Sequence, residues 1–127
     1  MKDNTLKTVI NRPAPEVFDF TVEPDNTPKW IDSIVHEEVD RRPIGVGTIY
    51  RNTNPAGEPT GYEMIEFEPH KTFTLRQKDG SYSVRYTFNP IDANTTEFAY
   101  HEWMDDGDLE APFSQSHLGK LKELLES

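Results

Sequence analysis

Cysteine is absent from the 127 residues. That excludes disulfides, thiolate metal ligands and a cysteine nucleophile together, and leaves packing to hold the fold. Basic residues are scarce: 13 Lys and Arg stand against 23 Asp and Glu, a formal charge of -10. Nucleic-acid affinity rests on lysines and arginines that neutralise phosphates, so no nucleic-acid partner is expected. The same acidity repels anionic membrane surfaces. Nowhere do about 18 apolar residues run together, so no membrane span is expected. The opening Met1-Lys2-Asp3-Asn4 leads into no apolar signal segment, and a cytoplasmic location is the expectation. Internal repeats, low-complexity stretches and Ser/Gly-rich linkers are lacking as well, so residues 1–127 read as one domain.

The patterns of metal and cofactor chemistry are also missing. His36, His70, His101 and His117 fall on separate elements without a paired His spacing, so no metal is expected. Gly45-Val46-Gly47 joins two strands and opens no helix, so it is not a phosphate loop, and no cofactor is expected. Ser114 and Ser116 lie near His117, but helical neighbours alone do not make an activated nucleophile with an orienting acid.

What the chain does have is aromatic area. Apolar residues make up only 34%, but 2 Trp, 5 Tyr and 7 Phe carry much of that share, and each can bury about 150–250 Å². A disordered chain is thereby excluded. Residues 5–11 alternate, with Leu6, Val9 and Ile10 apolar, and stop at Arg12-Pro13 as a first strand would. Pro13-Ala14-Pro15-Glu16 opens a short helix through Phe20 with Val17 and Phe18 inward. Residues 23–26 break it, and a second helix is predicted over 27–34 with Trp30, Ile31 and Ile34 on one face. Strands are predicted over 36–41, 46–53, 62–68, 72–78, 82–89 and 96–103, with turns at 43–45, 68–71, Asp79-Gly80 and 92–94. Residues 109–125 read as a terminal helix with Pro112 in its first turn and Phe113, Leu118, Leu121, Leu124 and Leu125 as its stripe.

The order is strand, two short helices, six strands and one helix. This is an α+β arrangement in which a curved antiparallel sheet of about seven strands surrounds the C-terminal helix. A strongly bent sheet under one amphipathic helix does not close its interior as two flat layers do, which leaves room for a cavity.

Several segments, in their order and spacing, carry a resemblance. They are the early strand followed by Pro13-Ala14-Pro15-Glu16-Val17-Phe18, then Asp25-Asn26-Thr27-Pro28-Lys29-Trp30 and Gly45-Val46-Gly47-Thr48. Ile65-Glu66-Phe67-Glu68-Pro69, Tyr86-Thr87-Phe88 and the final helix complete the set. Over nearly its whole length the chain resembles the START-like superfamily with the helix-grip fold, in particular the SRPBCC polyketide cyclase/dehydrase and lipid-transport group. The resemblance implies a cavity between sheet and C-terminal helix for a small hydrophobic molecule, lipid- or polyketide-like. It names no substrate, because the fold hosts many functions. The last helix is short for this group, which implies an open mouth or one capped by a second copy, so monomer and homodimer are both compatible.

Alternation assigns inward positions. In residues 62–68, Glu63, Ile65 and Phe67 form the more apolar face. That turns Glu63 inward as an acid or ligand anchor, unless the strand end lets it reach water. In residues 96–104 the set Thr96, Phe98, Tyr100, Glu102 and Met104 competes with Glu97, Ala99, His101 and Trp103. Larger aromatic area favours the first, with Glu102 inside and His101 outside; only the reversed register makes His101 a cavity base. Tyr50, Tyr82, Tyr86 and Tyr100 can offer hydroxyls to a ligand carbonyl or simply pack. Trp30 borders the cavity by resemblance, and Phe73, Leu75 and Phe113 complete the expected lining. Arg76 and Arg85 are expected on the outer face.

Three functions fit, in this order. The first is binding of the small hydrophobic molecule. The second is a cyclase- or dehydratase-type enzyme with Glu63, Glu102 or His101 moving protons. The third is a protein-interaction module. Residue types alone leave open whether catalysis occurs.

Overall fold

The structure is a computed structural model that describes residues 2–78, 80–109 and 111–127. Asp79 of the expected Asp79-Gly80 turn and Glu110 of the expected terminal helix lie outside the described residues. The chain runs β1 (Asp3–Ile10), α1 (Ala14–Val22), a 3-10 turn (Pro24–Asn26), α2 (Thr27–Trp30), then β2 (His36–Val39), β3 (Ile49–Thr53) and β4 (Pro59–Glu68). It continues through β5 (Thr72–Gln77), β6 (Tyr82–Asp92), β7 (Thr95–Met104) and α3 (Gln115–Glu126). The strands form one antiparallel sheet of order β1-β7-β6-β5-β4-β3-β2, so β2 to β7 are a meander and β1 returns beside β7. The sheet is open, and with its C-terminal helix it matches the expected helix-grip arrangement.

Local chemistry sets the element ends. α1 starts after extended Pro13 with a second proline in its first turn, where a missing N–H costs no hydrogen bond. α2 is one turn rather than the expected eight residues, because Ile31 is already extended (φ -113°, ψ 99°) and Asp32-Ser33 favour turns over helix. β3 begins at Ile49 rather than at 46: Gly47 has φ 94°, a conformation that ends a strand, and Val46 is exposed.

α3 begins at Gln115, not 109. Ser114 is its N-cap in a capping box closed by His117, and Pro112 pushes the residue before it away from helical geometry. Leu118, Leu121 and Leu125 are buried, whereas Leu124 is exposed. The helix also covers one sheet edge: Gln115 Nε2 and Lys122 Nζ donate to the β1 carbonyls of Lys7 and Val9, at 2.8 and 2.7 Å. That supplies partners for edge groups that would otherwise invite another strand.

The interior splits into two halves. At one end Phe18 of α1 meets Phe67, Phe73 and Phe88 edge-on at 5.3–5.8 Å. Trp30 packs edge-on against Tyr86, Phe98 and Phe113. These rings fill that end, and the other end stays open.

Candidate functional site

A pocket of about 350 Å³ occupies the unfilled end, at the small end of the ~300–1,000 Å³ usual for ligand sites. Its walls come from the sheet, from residues 31–37 after α2, and from the segment before α3. Five tyrosine rings line it: Tyr50, Tyr62, Tyr82, Tyr86 and Tyr100. Ile31, Leu75, Val84 and Phe113 add apolar surface, and Thr27, Asn52, Glu37 and Glu102 add polar groups. Among the described residues that line it there is no Lys, Arg or His. Burial raises the pKa of the Tyr50, Tyr82, Tyr86 and Tyr100 hydroxyls, so they remain neutral donors and acceptors.

The two carboxyl groups are held differently. Glu102, 1% exposed on β7, accepts from the Tyr82 hydroxyl at 2.7 Å, the Asn4 amide at 2.9 Å and the Phe113 backbone N–H at 2.7 Å. It thus ties β1, β6 and β7 to the segment entering α3. Phe113 in turn stacks on Tyr100 at 4.3 Å with the rings 4° apart. Three donors and no acceptor around one carboxyl group is the pattern of a carboxylate used as a clamp.

Glu37, 7% exposed on β2, has one short partner. The Thr27 hydroxyl donates to Oε1 at 2.6 Å, while Asn52 Nδ2 stands 3.5 Å from Oε2. Burial pushes its pKa up from 4.5 to about 7, against the opposing pull of those two hydrogen bonds. The Glu37 charge is felt by both Tyr50 and Tyr86. Tyr50 has a partner, donating to the Val22 carbonyl at 2.6 Å. Among the described residues the Tyr86 hydroxyl has none.

The expected site residues divide. Tyr50, Phe73, Leu75, Tyr86, Tyr100, Glu102 and Phe113 all line the pocket. Trp30, Phe67 and Phe98 belong instead to the aromatic packing at the filled end. Glu63 and Ile65 are corrections. The β4–β5 register shifts at a bulge between Met64 and Glu66, so Tyr62 and Met64 face in before it and Phe67 after it. Ile65 is 45% exposed, and Glu63 lies on the face opposite Met64. One inserted residue reverses which side chains point inward, and simple alternation does not show it.

His101 lies on the outer face, 3.5 Å from Asp3 and beside Trp103, so it is no pocket base. Arg85 on the same face pairs with Glu66 and sits over the Trp103 ring. Arg76 pairs with Asp105. Glu37 was missed, although its signal was available: it shares the period-two face of β2 with Val39, which packs on the core. Among the described residues no group of three or more His, Asp or Glu could hold a metal ion, and no helix is long and apolar enough to cross a membrane.

Comparison with known proteins identifies this architecture. The profile of the polyketide cyclase/dehydrase and lipid transport family matches residues 1–126. The chain belongs to that family. Among solved structures, a Mesorhizobium loti protein is 17% identical, with a TM-score of 0.76 over 98% of this chain and 97% of its own. The protein XoxI from Bacillus cereus is 13% identical, with a TM-score of 0.75 over 99% and 96%. The di-domain ARO/CYC BexL from the BE-7585A biosynthetic pathway is 21% identical, with a TM-score of 0.74 over 99% of this chain and 47% of that one. At these identities the likeness speaks for the fold. No curated protein matches the sequence.

Proposed function

We propose that this chain binds a small apolar molecule, lipid- or polyketide-like, in the pocket between the sheet and the segments leading from α2 and into α3. The observation that carries this reading is a pocket of about 350 Å³ walled by tyrosine rings and aliphatic side chains, with a few polar groups among them. Such a site gains from covering apolar surface: about 200 Å² of ligand area is worth about 5 kcal/mol at ~25 cal/mol per Å². The polar groups then orient what the apolar walls hold. Family membership supports the same reading. The test is native mass spectrometry of freshly purified protein against its denatured mass. A retained small molecule near stoichiometry is the expected result. Bare protein, with no thermal shift from a panel of lipids and aromatic ketones, would refute it.

A second reading, proton transfer on a bound ketone, is favoured by one observation. Glu37 is buried in the pocket wall, and that burial pushes its pKa up to about 7, which suits a group that must both give and take a proton near neutral pH. Glu102 is occupied by three donors and suits it less. Deuterium incorporation next to the carbonyl of a bound aryl ketone, lost in Glu37→Gln, is the expected signature; equal incorporation in both proteins would sink the idea.

A further inference from the structure

We propose, resting on the ligand-binding reading above, that Glu37 anchors the ligand by donating its carboxylic proton to a ligand oxygen, so that the pocket accepts uncharged carbonyl-bearing molecules and rejects carboxylates. Three observations carry this. First, the Glu37 side chain lines the pocket, and its two oxygens are unequal: Oε1 takes the 2.6 Å bond from Thr27, while Oε2 has only Asn52 at 3.5 Å. In the protonated acid, Oε1 is then the accepting oxygen and Oε2–H is the donor left without a strong acceptor. Second, Tyr86 also lines the pocket with a hydroxyl that has no partner among the described residues. Glu37 and Tyr86 thus offer two hydrogen-bond donors to the same pocket.

Third, the pocket lining holds no basic residue among the described residues, and it already holds Glu102 with its three donors. A ligand carboxylate would bring its charge beside two carboxyl groups with no counter-charge among the described lining residues, an arrangement that discriminates against it. The titratable and charged groups on the elements around Glu37 do not alter this. Tyr50 and Tyr86 are neutral, and Arg42 is taken up by Glu23 at 2.9 Å. Lys29 bonds Asn26, while Asp25 and Arg51 are exposed. The shift of Glu37 has burial as its largest cause, and the opposing causes are two neutral hydrogen-bond donors. A buried acid without a counter-ion costs stability at neutral pH, and local costs of this kind cluster at functional sites.

The experiment uses three probes on one ring system: acetylnaphthalene, naphthoate and naphthylmethylammonium. They are titrated calorimetrically into wild type, Glu37→Gln and Tyr86→Phe at about pH 6 and about pH 8, on either side of the Glu37 transition. The ketone should bind wild type tightest, with naphthoate at least ~10-fold weaker, and its affinity should fall about tenfold between the two pH values as the protonated fraction falls. Glu37→Gln keeps a donor and should hold the ketone at both pH values alike; Tyr86→Phe should weaken it and keep the pH dependence. Ketone binding to wild type that ignores pH, or naphthoate bound as tightly, would overturn the inference. Tightest binding of the ammonium, lost in Glu37→Gln, would also overturn it by making Glu37 a counter-ion. Binding of all three without discrimination defeats this inference alone. Failure of all three to bind defeats it too, and with bare protein in native mass spectrometry it defeats the binding reading as well.

Discussion

Replacing Glu37 by Gln should make the protein more stable at neutral and alkaline pH, and the gain should itself depend on pH. The carboxyl group titrates at about 7 in the folded chain against 4.5 for the ordinary group. The folded state therefore holds the proton more tightly than the unfolded state. The sign follows: the stability linked to this proton is fully present below about pH 4.5 and is lost as pH rises through about 7. Each pKa unit is worth 1.36 kcal/mol, so the loss across the window is roughly 3 kcal/mol. Gln keeps the shape and the oxygen that accepts from Thr27, but it has no charged form to desolvate. Urea unfolding of both proteins from about pH 4 to about pH 9 reads the difference, because titrations elsewhere in the chain are common to both and cancel. The gap in unfolding free energy between mutant and wild type should widen by roughly 3 kcal/mol across that range. A gap that stays constant with pH would refute the reasoning, since it would mean that burial does not hold the proton on Glu37.

Two further outcomes test the register and the clamp. With the bulge after Met64, Ile65→Lys should change stability by less than about 0.5 kcal/mol while Met64→Lys should cost more than about 4 kcal/mol in urea unfolding; the reverse order would restore the simple alternation of β4. Glu102→Ala should cost about 3–5 kcal/mol in urea unfolding by leaving three donors without their acceptor, and Glu102→Gln about 1–3 kcal/mol. A loss below about 1 kcal/mol for the alanine variant would show that the contacts to Asn4, Tyr82 and Phe113 hold little.

The seven strands and their succession along the chain were legible because they carry period-two patterns between turn residues; the return of β1 to lie beside β7 came from the structure. β7 offered two competing faces: aromatic area favoured the one with Phe98, Tyr100 and Glu102 over the one with His101 and Trp103, and Phe98, Tyr100 and Glu102 are the residues buried between β1 and β6. β4 was misread for a physical reason. Its pattern is two half-patterns joined by one extra residue, and the apolar Ile65 at the join makes the wrong phase look continuous. The start of α3 was misread because residues 109–113 are compatible with a helix, and only the capping of Ser114 by His117 fixes where it begins. The pocket residues on β5, β6 and β7 followed from strand phase. Glu37 shares its strand face with Val39, but that phase alone does not tell a buried carboxyl group from a solvated one on a four-residue edge strand; the cover from Thr27 and residues 31–34 decides it.

The same residue type thus takes opposite roles in one pocket, and the backbone explains why. Glu102 sits where β7 passes beside β1 and the entry to α3, so donors from three chain segments, one of them a backbone N–H, converge on it. Charge-assisted bonds of that kind offset the loss of water. Glu37 sits on the outermost strand, covered by a single helical turn whose only short donor to it is a threonine hydroxyl. Burial there exceeds what the neighbours supply, and holding a proton is the way out. One carboxyl group of the pocket is thus met by three donors and the other by a single short one. The second keeps hydrogen-bonding capacity for what binds and is the one to mutate when the question is the ligand; Glu102 is the one to mutate when the question is the fold.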